Sequence, residues 1–190
     1  FLDNTEFDTR IYASDVKING ESQDSWRTFR TNNFLDLDGI YGPINELIVL
    51  DEKVVALQDK ATALVSVNPR VIVTDDTGTP TQLGTGDVLE DFDYLSTEIG
   101  TKHQWSVTKS NKAIYFFDIT KRKLVKLSFS EGMSLLSDVK GLQTYFANNT
   151  TGDIVTGDNP VHFVSSGERF GISSTYDHRY DEMKMTFLNG

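Results

Sequence analysis

The chain has 190 residues, 38% hydrophobic and 24% charged, with 18 Lys and Arg against 28 Asp and Glu, a net charge of -10 and no cysteine. Length and composition suit a folded domain with its own core and exclude a disordered chain, while the missing thiols exclude disulfide frameworks, cysteine nucleophiles and Cys-ligated zinc. The acidic balance excludes a tight grip on nucleic acid by phosphate neutralisation, no apolar run approaches the ~18 residues of a membrane helix, and the opening Phe1–Asp8 is too acidic for a signal peptide.

In chain order, Arg10–Ser14 predicts a short strand, followed by a turn at Asn19-Gly20. Ser22–Phe29 predicts one helical turn or a packed loop, with Asp24 as a cap and Trp26 and Phe29 plugging the edge of the first sheet unit. Asn33–Pro43 predicts a loop, punctuated by Asp-Gly and Gly-Pro. The first of three similar units then runs over Ile44–Val67, two β-rich runs meeting at Asp51-Glu52-Lys53. Asp75–Asp87, rich in Gly and Thr, predicts a surface loop.

The second unit, Trp105–Ser128, turns at Ser110-Asn111-Lys112, and alternation along Ala113–Asp118 turns Ile114 and Phe116 inward. Met133–Phe146 predicts a short inserted helix with Leu135, Val139, Leu142 and Phe146 on one stripe and Gly141 as its weak point. Ala147–Asp153 predicts an exposed tip. The third unit begins within Val161–Val164 and closes over Gly171–Leu188, with a turn at His178–Asp181 and Met183, Met185 and Phe187 inward.

Small units of this kind cannot bury both sheet faces alone, so their repetition implies neighbours stacked face to face, as in a β-propeller. The expected fold is therefore mainly β, part of a β-propeller with one short inserted helix, and residues 1–190 are expected to be an excerpt of a longer polypeptide. The units recur at roughly 60–70 residues, so about three blades fit, against the about 4–8 of a closed ring. Expressed alone, such a piece is expected to aggregate or to melt with weak cooperativity, because open edges and blade faces remain uncovered.

Chemical motifs are weak. Asp36-Leu37-Asp38-Gly39 resembles the start of a calcium loop, but the Glu expected at loop position 12 is replaced by Leu47, with Glu46 one residue off; an Asx-turn is the simpler reading. His103, His162 and His178 fall in separate segments outside any zinc pattern. Gly84-Thr85-Gly86 lacks the third glycine and the strand-to-helix context of a phosphate loop. Carboxylates such as those of Glu90–Asp93 are common in any acidic protein, and the triplets Asn148–Thr150 and Asn149–Thr151 mark glycosylation only in a secretory setting. No catalytic, cofactor-binding or metal-binding residue is assigned, and no enzyme activity or cofactor is expected.

The runs Arg10–Trp26, Asp38–Leu47 and Gly171–Phe187 resemble the tail nozzle or muzzle proteins of short-tailed bacteriophages, particularly crAss-like phages of gut Bacteroidales. The middle, Leu83–Asp118, is similar to the propeller part of phage tail-hub or DNA-stabilisation proteins. The resemblance implies a structural protein of the virion tail, forming a ring of its own copies around the DNA exit channel. Its implied partners are other tail and portal-proximal proteins, with no membrane. It carries no catalytic residues, and proteins of that kind are several times longer. An acidic wall would let DNA pass without holding it, and Asp75, Asp76, Glu90 and Asp91 are the candidates to face the channel. The alternative is a carbohydrate-binding or glycoside-cleaving propeller, which requires a pocket of convergent carboxylates with exposed aromatics such as Trp105 or Tyr94.

Overall fold

The computed structural model describes residues 7–15, 17, 20, 22, 24–67, 71–74, 80–83, 88–150, 162–163 and 169–188. Strand β1 (Arg10–Ser14) pairs antiparallel with β2 (Phe29–Asp36), reached through a 3-10 turn at Ser25–Arg27. Strands β3 (Ile44–Leu50), β4 (Lys53–Gln58) and β5 (Thr62–Val67) form a meander. A separate hairpin, β6 (Val71–Thr74) and β7 (Pro80–Leu83), interrupts it before β8 (Leu89–Ser96) completes an antiparallel sheet in the order β3-β4-β5-β8. After a 3-10 turn at Gln104–Ser106, strands β9 (Thr108–Lys109), β10 (Ile114–Asp118), β11 (Lys123–Ser128) and β12 (Gly132–Leu135) make a second four-stranded meander. Two short helices follow, α1 (Leu136–Val139) and α2 (Gln143–Asn149), then a three-stranded sheet of β13 (His162–Phe163), β14 (Arg169–Asp177) and β15 (Glu182–Leu188). The protein is mainly β, in several antiparallel sheets.

Turn chemistry explains the hairpins. Between β3 and β4 both loop residues are left-handed, Asp51 at φ 47° and Glu52 at φ 62°, the backbone of a two-residue turn that matches the twist of its strands. The β10–β11 and β14–β15 hairpins share another device. In the first, the Asp118 carboxylate accepts the Lys121 N–H at 2.9 Å and Arg122 is left-handed at φ 54°. In the second, Asp177 accepts the Arg179 N–H at 3.0 Å and Asp181 is left-handed at φ 55°. An Asp closes each turn four residues before its left-handed position, so the likeness between the two units extends to turn geometry.

Apolar faces stack the sheets in series. Ile11 and Leu37 beside the β1–β2 pair pack on Ala56, Ala63 and Val65 of the first four-stranded sheet. On its other face, Leu50, Val55 and Leu57 meet Ile114, Phe116, Val125 and Leu127 of the second. The second sheet's far face places Phe117 and Leu124 against Phe146 of α2 and Ile172 of β14, with Met183, Met185 and Phe187 of β15 packed around them. Strands β4 and β10 are therefore buried on both faces. The inward positions expected for Ile114, Phe116, Met183, Met185 and Phe187 are the observed ones. Phe117 meets Phe146 and Phe187 edge to face, with ring centroids 4.9 and 5.2 Å apart.

Several expectations are corrected. The loop expected over Asn33–Pro43 is strand as far as Asp36, because β2 turns polar Asn33 inward and Phe34 outward, which inverts the usual alternation. Asn33 is satisfied there by the Ala13 carbonyl (3.1 Å) and the Val88 N–H (3.2 Å). Trp26 and Phe29 are exposed rather than plugging an edge, and the Asp24 side chain makes no capping bond. Within the loop expected at Asp75–Asp87, Pro80–Leu83 is strand β7; residues 75–79 and 84–87 lie outside the described residues. The single helix expected over Met133–Phe146 is broken up. Gly132–Leu135 pairs with β11 instead, Gly141 is left-handed at φ 69°, and Val139 is 75% exposed. Ala147–Asn149 belong to α2, with Ala147 and Asn148 exposed as expected, and residues 151–153 lie outside the described set. Asn19 also lies outside it, while Gly20 has the positive φ of 93° that a turn uses.

Candidate functional site

The connection between the two four-stranded sheets is buried and polar. The Thr101 N–H donates to the Gln58 carbonyl at 2.9 Å, and Thr101 Oγ1 donates to the Phe117 carbonyl at 2.9 Å. Ser106 Oγ accepts the Phe117 N–H at 3.3 Å and donates to the His103 carbonyl at 2.7 Å. This loop thus takes up backbone groups at the end of β10 that would otherwise be buried without partners. The loop leading into β3 is held likewise. Gln58 Nε2 donates to the carbonyls of Asp38 and Gly42 at 3.1 and 2.8 Å, and the Tyr94 hydroxyl donates to Gln58 Oε1 at 3.1 Å. A buried polar residue at the end of each central strand, Gln58 on β4 and Asp118 on β10, anchors the loop entering its sheet.

Burial raises the Asp118 pKa above 3.8, opposed by N–H donors from Lys121 and Gly100. A raised carboxyl pKa contributes stability that is full below the unfolded value and lost as pH rises through the folded one. Asp36, Glu98, Glu131, Asp138 and Asp177, each lowered chiefly by a hydrogen-bonded cation (Arg10, Lys121, Lys126, Lys123 and Lys184), act oppositely and lose their contribution as pH falls. Asp118→Asn is therefore expected to remove a loss of melting temperature on going from pH 4 toward neutrality while leaving the acid limb unchanged; differential scanning calorimetry across pH checks this.

The residues singled out from sequence do not converge. Asp36 forms a bidentate ion pair with Arg10, at 2.5 and 2.6 Å, and Asp38 accepts the Ile40 N–H at 3.1 Å, the Asx-turn reading of that motif. Among the described residues no group of three or more His, Asp or Glu is placed to hold a metal ion. His103 is buried in the inter-sheet loop and His178 meets Tyr176 edge to face in an exposed turn. Glu90, Asp91 and Asp93 lie exposed along β8. Tyr94 sits in a packed cluster with Tyr41 and Phe92, whereas Trp105 is exposed. Asp75, Asp76 and Gly84–Gly86 lie outside the described residues, as does the His162 side chain. Among the described residues no helix is long and apolar enough to cross a membrane.

Sequence reasoning missed the surface that β2 creates. The outer face of the β1–β2 pair carries Tyr12 and Phe34, 5.9 Å apart, with the Arg10 guanidinium 3.9 Å from the centre of the Phe34 ring and 4.1 Å from that of Phe7. Asp36 holds that guanidinium in place through two hydrogen bonds. Beside β1 a groove of about 390 Å³ runs along β3, lined by Arg10, Ile11, Ile44, Glu46 and Leu47. A second cleft of about 340 Å³, between the second and third sheets, is lined by polar groups including Ser110, Lys126, Ser128 and Glu131.

Comparison with known proteins gives a consistent answer. A family model described as Crassvirus muzzle protein matches residues 1–190. The muzzle protein of Bacteroides phage crAss001 is 27% identical over 143 residues, which cover 75% of this chain and 10% of that protein. The chain thus spans about a tenth of the length of the curated relative it matches.

Proposed function

Because the chain belongs to the crassvirus muzzle protein family, we propose that it is part of a structural protein of the phage tail, with no enzymatic activity, that helps build a ring of copies around the DNA exit channel beside other tail and portal-proximal proteins. The observation that carries this reading is the serial, face-to-face stack of small antiparallel sheets in a chain matched along its whole length by that family. Serial stacking makes a wall rather than a pocket. The first strands of the two four-stranded sheets also lie together, the Lys109 ammonium donating to the Val49 carbonyl at 3.0 Å, as the inner strands of neighbouring propeller blades would. On that reading β8 and β12 are outer strands, and the remaining blades come from other parts of the polypeptide. Electron microscopy of the virion tests the role: density for these sheets in a ring on the tail axis is expected, and their absence from the tail overturns it.

A conduit must not trap its cargo. With a net charge of -10, assembled protein is expected to retain little duplex DNA even at low salt, where cation-driven binding is strongest. Gel retardation across a salt series checks this, and tight, salt-sensitive binding overturns the passive conduit. Lysine at exposed Glu90 and Asp91 is expected to slow genome release without altering assembly if those positions face the channel. The carbohydrate reading gains less: Trp105 is exposed, but Tyr94 is packed and hydrogen-bonded, and neither described cleft is lined by Trp105.

A further inference from the structure

The first four-stranded sheet is incompletely covered. Ile48 and Leu50 of β3 point into the core shared with the second sheet, which leaves Leu47 and Val49 on the opposite face, 44% and 48% exposed. That face is covered elsewhere by the β1–β2 pair, and the pair sits off-centre. Asn33 of β2 bonds to the Val88 N–H beside β8, so β2 lies over the far edge of the sheet and β1 lies inward of it. No strand among the described residues pairs with the other edge of β1. The 390 Å³ groove opens into that gap, with Asp8, Arg10 and Ile11 on one side, Ile44–Leu47 of β3 on the other and Gln104 of the inter-sheet turn at its margin, while Val49 lies beyond it along β3. One end is closed where the Ile44 N–H donates to the Asp8 carbonyl at 2.9 Å.

We propose that this groove takes a single β-strand, supplied by a part of the same muzzle polypeptide outside residues 1–190, which pairs with the free edge of β1 and covers Leu47 and Val49. A strand fits because, among the described residues, no strand pairs with the outer edge of β1, where only the Arg10 N–H is taken up, by the Phe7 carbonyl at 3.2 Å, and that edge lies beside two apolar side chains at i and i+2, the period of an alternating partner; its inward positions are aliphatic and its outward ones continue the aromatic face of Tyr12 and Phe34. A second copy would bring β1 together with its own β2 and the sheet beneath. In the crAss001 relative the matched region is 10% of the protein, so nine-tenths of that polypeptide is available to supply such a strand. The inference rests on the open edge and the groove, not on the conduit reading.

The test uses the full-length polypeptide with a photo-crosslinking phenylalanine analogue at Leu47, and at the highly exposed Ile40 as control. The expected result is a product of one chain's mass that joins position 47 to a residue outside 1–190. A join within 1–190, a two-chain product, a join to another virion protein, or a yield no higher than at Ile40 overturns the proposal. Hydrogen exchange on the unmodified full-length protein decides independently of the variant. The outward amides of Tyr12 and Ser14 are expected to exchange as slowly as those bonded to β2, the Arg10 N–H being held already by the Phe7 carbonyl; if Tyr12 and Ser14 exchange fast, the edge is open and the proposal fails. A two-chain product would remove the strand and leave the tail role standing, whereas absence from the tail would remove the role and leave the crosslink result intact.

Discussion

Phe116→Ala is expected to lower the unfolding free energy by about 3–5 kcal/mol, against under about 0.5 for exposed Ser173→Ala. Phe116 has no exposed surface and sits between the two four-stranded sheets, facing Val55 and Leu57 on one side with Val125 and Leu127 beside it. Its removal leaves a void that neither sheet can close, because β10 is clamped from its other face by Phe117 in the cluster with Phe146 and Phe187. Chemical denaturation of the full-length protein, compared with wild type, reads the difference. A loss below about 1 kcal/mol would mean that the two sheets do not share this core.

Gly100→Ala is expected to be comparably severe for a different reason, a loss of about 3 kcal/mol or more from a single added methyl. A Cβ at position 100 would lie 2.2 Å from the Gln58 carbonyl oxygen and 2.7 Å from the Ala61 nitrogen. Both are backbone atoms of the β4–β5 turn, so no side chain can swing aside to make room. The inter-sheet loop would have to move, breaking the Thr101 N–H bond to the same Gln58 carbonyl and the contact of the Gly100 N–H with Asp118 at 3.5 Å. Gly39→Ala, where a Cβ meets nothing within 4 Å, is the control and should change stability by under about 0.5 kcal/mol. Equal effects at the two glycines in a denaturation series would show that the loop is not held as described.

The conduit and groove tests probe function where these two probe the stack, and the stack was partly legible from sequence. Period-2 alternation is a local property, so Ile114, Phe116, Met183, Met185 and Phe187 declare their inward faces without knowledge of the partner sheet. Polar clusters at Asp51–Lys53 and His178–Asp181 mark tight turns for the same reason. The runs Arg10–Trp26, Asp38–Leu47 and Gly171–Phe187 were also enough to point to the muzzle family that matches the whole chain.

Other features depended on partners distant in sequence. Strand β2 was hidden because Asn33 occupies an inward position that makes sense only beside the Ala13 carbonyl and the Val88 N–H. The stripe from Leu135 to Phe146 carried a helical period, yet Leu135 gains more from the β11 ladder, and Gly141 leaves the helical region. The buried anchors Gln58 and Asp118 read locally as ordinary polar residues at strand ends. Local periodicity and turn chemistry thus made this a protein of stacked β units. Which polar groups turn inward, how the sheets are joined, and which edge finds no strand among the described residues were decided only by the tertiary structure, because each depends on backbone donors and acceptors that come together when the sheets stack.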